Sequence, residues 1–351
     1  MTTYLFVSLF PYAGAIATAM DRRVTAIGWF VLSLFLIVLS LFIGLRFETG
    51  KDWLQYNYIY DVISSLPLGA ALGFTDMGYS ALNWICSQIG FGITGVFLIC
   101  ATVLAVGIGM FAAQTPYPWL AVAVTMPHIV TVMAMDHVRQ ATALGFILIG
   151  LALLAEDKVR PFLICILISA LFHRTGIIFL GFGIGLITRN RMLLYPAFLL
   201  IAVVMLQYIM QSDRMDIYTS RYLESEAGSR GALIRLALNA APAAAFLYLG
   251  TRLELPARFR KVMTLVAWAA ILCVVLLPLS PSVVVIDRVG KYFLPIQILF
   301  FPMFIARFHG FLLRAGVTGL IVMYLATTQV YWLSSSPLAR HYWVPYKMVG
   351  F

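Results

Sequence analysis

The run Arg46-Phe-Glu-Thr-Gly-Lys-Asp52-Trp53-Leu-Gln-Tyr56 packs four charged side chains around a glycine. Arginine grips phosphate oxygens in a bidentate fork, and a carboxylate near it can accept a proton from a hydroxyl. Arg46 therefore reads as a phosphate clamp with Asp52 positioned beside it. The run follows an uncharged stretch, Thr25–Leu45, whose about twenty residues suffice to cross a bilayer as one helix. Trp53, Tyr56, Tyr60 and Ile63 come next at helical spacing. Residues 52–65 are thus predicted to form an amphipathic helix with its aromatic face at the membrane–water interface. A plain interfacial anchor would explain those rings, but not Arg, Glu, Lys and Asp packed against a helix end.

Further charged islands interrupt the apolar chain. Asp136-His137-Val138-Arg139-Gln140 opens a predicted helix, where Asp136 suits an N-cap and Arg139 sits just inside, aimed at an anion. Phe172-His173-Arg174-Thr175 marks a break, and a neutral His173 there is a second candidate base beside Asp52. The segment from Asp213 to Arg235 is rich in both signs of charge. Most of it reads as solvated loop, whereas Arg235 lies far enough into the next helix to dip into the membrane edge. Asp287-Arg288-Val-Gly-Lys291-Tyr292-Phe293 enters a late span, with Arg288 either paired to Asp287 or acting as a clamp. Tyr342-Trp343-Val-Pro-Tyr346 reads as an interfacial aromatic belt without chemistry.

The elements that position these residues are helices in a membrane. Of 351 residues, 62% are hydrophobic and 11% charged, too few charges to solubilise a globule of this size. Apolar runs extend from end to end, so residues 1–351 are expected to form a single all-α polytopic domain of about twelve spans. Three runs are ambiguous: Pro161–Phe172 and Thr175–Ile187, which could form one crossing or two, and Gly78–Ile89. Met1–Met20 lacks a basic leader and is followed by Asp21-Arg22-Arg23, which suits a retained first helix. Cys86, Cys100, Cys165 and Cys273 lie in apolar segments without paired spacing, so neither a metal site nor a disulfide framework is expected. The net charge of +10 is spread over membrane loops and fits lipid phosphates and positive-inside bias rather than nucleic acid.

Lys and Arg are densest in 156–160, 188–191, 251–261 and 306–314, which places those loops inside and both termini outside. The longest hydrophilic stretches, 46–77, 211–231 and 280–291, then face outward, as does the tail 333–351. Arg46, Arg139, Arg174, Arg235 and Arg288 all fall near outer helix ends, so one outward-facing polar site is the economical account.

The pattern R-x-x-x-G-x-D-[WY]-x-x-Y at Arg46–Tyr56 resembles the EpsG family of exopolysaccharide and O-antigen polymerases, akin to Wzy enzymes. The Arg139-Gln140 pair at a helix start, the aromatic-His element at Phe172-His173 and the R-x-x-x-Y-[FL] element at Arg288–Phe293 resemble it in the same order. Arg174 departs from the small residue usual after the histidine. The resemblance implies a GT-C-like helical fold in the bacterial inner membrane with its active site facing the periplasm or exterior. It implies transfer of a glycan from undecaprenyl pyrophosphate to the terminal sugar hydroxyl of another lipid-linked repeat unit. Arg46, Arg139, Arg235 and Arg288, with Tyr56, Gln140 and Tyr292, would bind substrate and pyrophosphate, and Asp52 or His173 would take the proton. No cofactor or metal is called for: P-loop, Rossmann, HExxH and GxSxG signatures are missing, and the lipid pyrophosphate carries its own leaving group. The partners implied are the two lipid-linked glycans and membrane lipids, with room for a chain-length regulator. A flippase of lipid-linked sugars is the alternative; it would carry charges through both half-paths. A membrane O-acyltransferase would use a histidine too, but needs a cytoplasmic route for its donor.

Overall fold

In a computed structural model, residues 1–20, 24–187, 226–279 and 283–350 are described. The apolar runs form helices α1 (Thr2–Met20), α2 (Ala26–Gly44), α3 (Trp53–Ser65), α4 (Leu68–Ala71), α5 (Met77–Gln88) and α6 (Gly92–Ala112). Next, α7 (Pro118–Thr125) runs on as a π-helix over Met126–Ala134, followed by α8 (Val138–Ala155), α9 (Val159–Phe172) and α10 (Ile178–Ile187). Beyond the undescribed 188–225 come α11 (Glu226–Leu249), α12 (Ala257–Leu276), α13 (Val283–Gly290), α14 (Pro295–Ile305), α15 (Phe311–Ser335) and α16 (Pro337–Tyr342).

Among the described residues, seven helical stretches are long and apolar enough to cross a membrane: 2–19, 26–44, 92–112, 138–155, 231–249, 257–279 and 311–335. Four further apolar helices, 118–134, 159–172, 174–186 and 295–305, are shorter. These eleven helices fall on eleven of the about twelve expected runs, seven at full spanning length and four shorter. Apolar runs of the right composition are cut short where the backbone breaks. Pro161–Ile187 resolves into α9 and α10, because His173 is extended and Arg174–Ile177 turns as a 3-10 helix. The late span starts only at Pro295, after the 3-10 turn Lys291–Phe293. The expected span Met192–Met210 lies outside the described residues.

Burial orders the bundle. Among the seven helices of spanning length α8 is the most enclosed, with 72% of its apolar window inside the protein, against 17% for α15. α6 can lie directly on α8 because glycines face each other: a Cβ on Gly107 would sit 2.4 Å from the Gly145 carbonyl oxygen. Such small-residue contacts let membrane helices approach where lipid offers no hydrophobic drive. On the outer helices, Phe6, Ile27, Phe30, Trp268, Leu312 and Met323 point away from the core, as lipid-facing side chains do.

Two devices fix the site end. The π-helix is held by Thr131, whose hydroxyl donates to the Met126 carbonyl, while Gln329 of α15 donates to Thr131 Oγ1 at 2.8 Å and to Ser8 at 2.9 Å. Tyr12 donates to Gln329 Oε1, so every polar group of that buried amide is used. The chain's last residues form a strap. β1 (Arg46–Phe47) pairs antiparallel with β2 (Lys347–Met348), Gly50 N–H donates to the Tyr342 carbonyl, and the Trp343 indole donates to the Thr131 carbonyl at 2.7 Å. The tail expected to be a simple aromatic belt therefore ties the 46–52 loop to the π-helix.

Candidate functional site

The loop after α2 reverses direction at Gly50, whose φ of +96° favours glycine. A Cβ there would lie 2.2 Å from the Met135 carbonyl oxygen, so the glycine lets residues 46–52 lie against the end of the π-helix. Arg46 pins the same junction from beneath. Its Nε donates to Met135 O at 3.1 Å, its Nη1 to Ile43 O at 2.9 Å, and its guanidinium stacks 4.2 Å from the Phe97 ring centre. It is buried, at 2% exposure. Two of its donors are thus turned inward to carbonyls that a helix end leaves open, while its buried Nη2 has no hydrogen-bond partner among the described residues.

This junction delivers Asp52. Its backbone N–H donates to Asp136 Oδ1 at 2.9 Å, and α3 starts directly after it. Asp136 does not cap α8, as its place in the sequence suggests; its carboxylate reaches across to the loop instead. Asp52 is half-buried and Asp136 buried, with the His137 ring 3.6 Å from Asp136 Oδ2. Oxygens of both carboxylates and a His137 nitrogen lie within 4.8 Å of one another, close enough for one small cation to touch all three. Burial raises the Asp52 pKa against the opposing pull of Arg288, Lys51, Arg139 and Lys291. Burial and then the neighbouring Asp52 charge push Asp136 up to about 6. Burial and the closeness of the two carboxylates favour a proton on the pair, against the pull of the surrounding cations.

The cations around the pair come from different elements. Arg139, in the first turn of α8, donates to Asp76 Oδ2 at 2.8 Å and to the Thr75 hydroxyl at 2.6 Å. Asp76 also faces Arg174, whose Nε is 3.7 Å from Oδ1. On α13, Asp287 holds Arg235 at 2.8 Å and Lys291 at 3.3 Å. Arg288 is half-buried, and its carbonyl accepts from Gln140 Nε2. His173 Nδ1 faces the Tyr292 hydroxyl at 3.0 Å and the Thr175 hydroxyl at 2.5 Å. Burial first, then Arg139, Arg288 and Arg174, lower the His173 pKa to about 3, far from the range in which imidazole is an effective base.

The structure thus gathers Asp52, Arg139, Arg235, Arg288 and His173 into one polar patch where α2, α8, α9 and α13 end. Tyr56, Gln140 and Tyr292, expected to contact substrate, are 5%, 2% and 0% exposed. Each is enclosed by neighbours rather than open to solvent. α3 forms as predicted, but Tyr56 and Ile63 turn into the protein, Tyr56 against Tyr79 and Phe97 edges, rather than toward the interface. The polar loop over 211–225 lies outside the described residues. Asp76, Asp136, His137 and Lys291 were missed as site members. Asp136 carried a usable signal, being the only acidic residue between Asp76 and Glu156, and an isolated charge in so apolar a stretch is a functional candidate by default.

A sequence model of the EpsG family matches residues 29–348. The chain belongs to the EpsG family. The match spans every member of the patch, from Arg46 to Arg288 and on through the strap. No curated protein and no solved structure matches the chain. Membership and seven apolar helices of spanning length make this a membrane protein. EpsG membership gives it a general role in polysaccharide polymerisation.

Proposed function

We propose that this EpsG-family protein polymerises lipid-linked repeat units on the outer face of a bacterial inner membrane. A glycan is transferred from undecaprenyl pyrophosphate to the terminal sugar hydroxyl of a second lipid-linked unit. The acceptor oxygen bonds to the anomeric carbon while the carbon–oxygen bond to pyrophosphate breaks, and the electron pair departs with the leaving group. The hydroxyl proton passes to a protein base. The observation that carries this reading is a half-buried carboxylate, Asp52, set among cations from several elements. Negative charge grows on the departing pyrophosphate, and fixed cations aimed at it stabilise the transition state more than the ground state.

Arg139 and Arg288 are the proposed pyrophosphate ligands, with Arg235 supporting from α11. Arg46, Tyr56, Gln140 and Tyr292 are proposed as positioning residues. Asp52 is favoured over His173 as the base, because a group titrating at about 3 has little proton affinity at neutral pH. A GT-C-like arrangement and a chain-length partner remain part of the proposal. The flippase alternative is less well supported, since the cationic residues gather where helices end rather than along two half-paths.

The test is replacement of Arg139 and Arg288 by alanine at matched protein levels in a producing strain. Each should lower polymerisation about a hundredfold while single repeat units still reach the surface. Retention of those units inside the cell would favour transport instead.

A further inference from the structure

Asp136 has no place in the mechanism so far, yet it is tied to the proposed base by geometry. Its Oδ1 accepts the Asp52 N–H at 2.9 Å, and the two carboxylates approach within 4.8 Å. The approach is built in: Arg46 Nε bonds Met135 O, Gly50 presses on that same carbonyl, and the Gly50 N–H is held by Tyr342 O. Nothing about capping α8 requires this, since no side chain caps that helix.

We infer that Asp52 and Asp136 act as one base, a carboxylate pair in which Asp52 meets the acceptor hydroxyl and buried Asp136 raises its proton affinity. The inference rests on the polymerase reading. A lone exposed carboxylate is too weak a base to take a sugar hydroxyl proton well at neutral pH. Two carboxylates held together cannot both stay ionised cheaply, so the pair captures a proton at higher pH. Burial first, and the Asp52 charge second, push Asp136 up to about 6. In the reaction, the hydroxyl O–H breaks as the new glycosidic C–O bond forms, the proton lodges on the pair, and water later removes it.

The other charged and titratable groups facing the pair are set by its neighbours. Lys51 comes from the loop and Tyr56 from α3, while His137 and Arg139 come from the head of α8. Arg288 and Lys291 face it from α13 and the turn after it, and Arg46 lies beneath. Burial and nearby cations keep His137 well below the ordinary imidazole value, so it stays neutral and does not compete for the proton. When an anionic pyrophosphate engages the cations, their pull on the carboxylates weakens and the pair becomes a stronger base.

The experiment uses membrane vesicles from the producing strain, with the strain's own lipid-linked repeat units as substrate and glycan length as readout between pH 4.5 and 8. In the wild type, polymerisation should fall as pH drops through about 6. Asp136→Asn keeps an oxygen for the Asp52 N–H, so the loop should stay in place. It removes the like charge, and the acid limb should then move down by about one pH unit or more, with the rate above pH 7 reduced on the order of tenfold. A merely structural role would lower the rate at every pH without moving the limb, and that result overturns the inference. Asp136→Glu should return the limb toward the wild-type position. If wild-type vesicles build no polymer from lipid-linked units at all, the polymerase reading itself fails and takes the inference with it.

Discussion

Replacing Gly50 with alanine should disable the site while leaving the bundle intact. At φ +96°, an L side chain costs about 1–2 kcal/mol of backbone strain. The added Cβ would stand 2.2 Å from Met135 O, 3.0 Å from Met135 C and 3.3 Å from Asp136 Cα. All three are backbone atoms, so no rotamer change relieves the overlap. Ordinary contact begins at 3.4 Å, and the loop must therefore retreat by about 1 Å. That shift stretches the 2.9 Å bond from Asp52 N–H to Asp136, a hydrogen bond to a charged acceptor contributing about 1.5–3 kcal/mol. A misplacement of this size at the reacting groups costs about a hundredfold in rate. The assay is glycan length in a producing strain, alongside thermal unfolding of the purified protein in detergent. Gly90→Ala is the control: Gly90 also has positive φ, at +75°, but its Cβ would meet nothing within 4 Å. It should carry the strain alone and keep polymerisation. Wild-type polymer from Gly50→Ala would refute the claim that this loop must lie against Asp136.

Other expected outcomes follow from the same geometry. Trp343→Phe removes the 2.7 Å indole bond to the Thr131 carbonyl, and should shorten glycan chains with a stability loss of about 1–3 kcal/mol in detergent unfolding. Gln329→Leu leaves the Tyr12, Ser8 and Thr131 hydroxyls with one partner fewer each and should lower thermal stability by a similar about 1–3 kcal/mol. Gly107→Leu forces α6 off α8, since even a Cβ meets the Gly145 carbonyl at 2.4 Å, and should cut the amount of folded protein recovered from membranes. His173→Gln should retain most polymerisation in the glycan-length assay, because a group held neutral to about pH 3 is not the base; complete loss with normal folding would return His173 to the mechanism.

The helical membrane class and the position of the main charged islands were legible in the sequence because both depend on local composition. The run from Arg46 to Tyr56 lies at the candidate site, and α3 forms where its periodicity places it. The direction of individual side chains was not legible. Arg46 looks like a free clamp in one dimension, and only the packing of Phe97 and the Met135 carbonyl against it shows an inward strut. Asp136 was read as a cap because local sequence favours that, whereas a residue 84 positions away takes its carboxylate. The strap was hidden for the same reason: Trp343 and Lys347–Met348 find partners far away in the chain, at Thr131 and at Arg46–Phe47. Helix length was not legible for a different reason, since composition alone does not report where a π-helix or a 3-10 turn shortens an apolar run.

The central claim is that Asp52 takes a proton during polymerisation. It is tested most directly by Asp52→Asn, expressed at wild-type level in a strain whose surface polysaccharide depends on this protein, with surface glycans resolved by length. The account predicts single repeat units at the surface and no long chains. A full-length ladder from Asp52→Asn would contradict it.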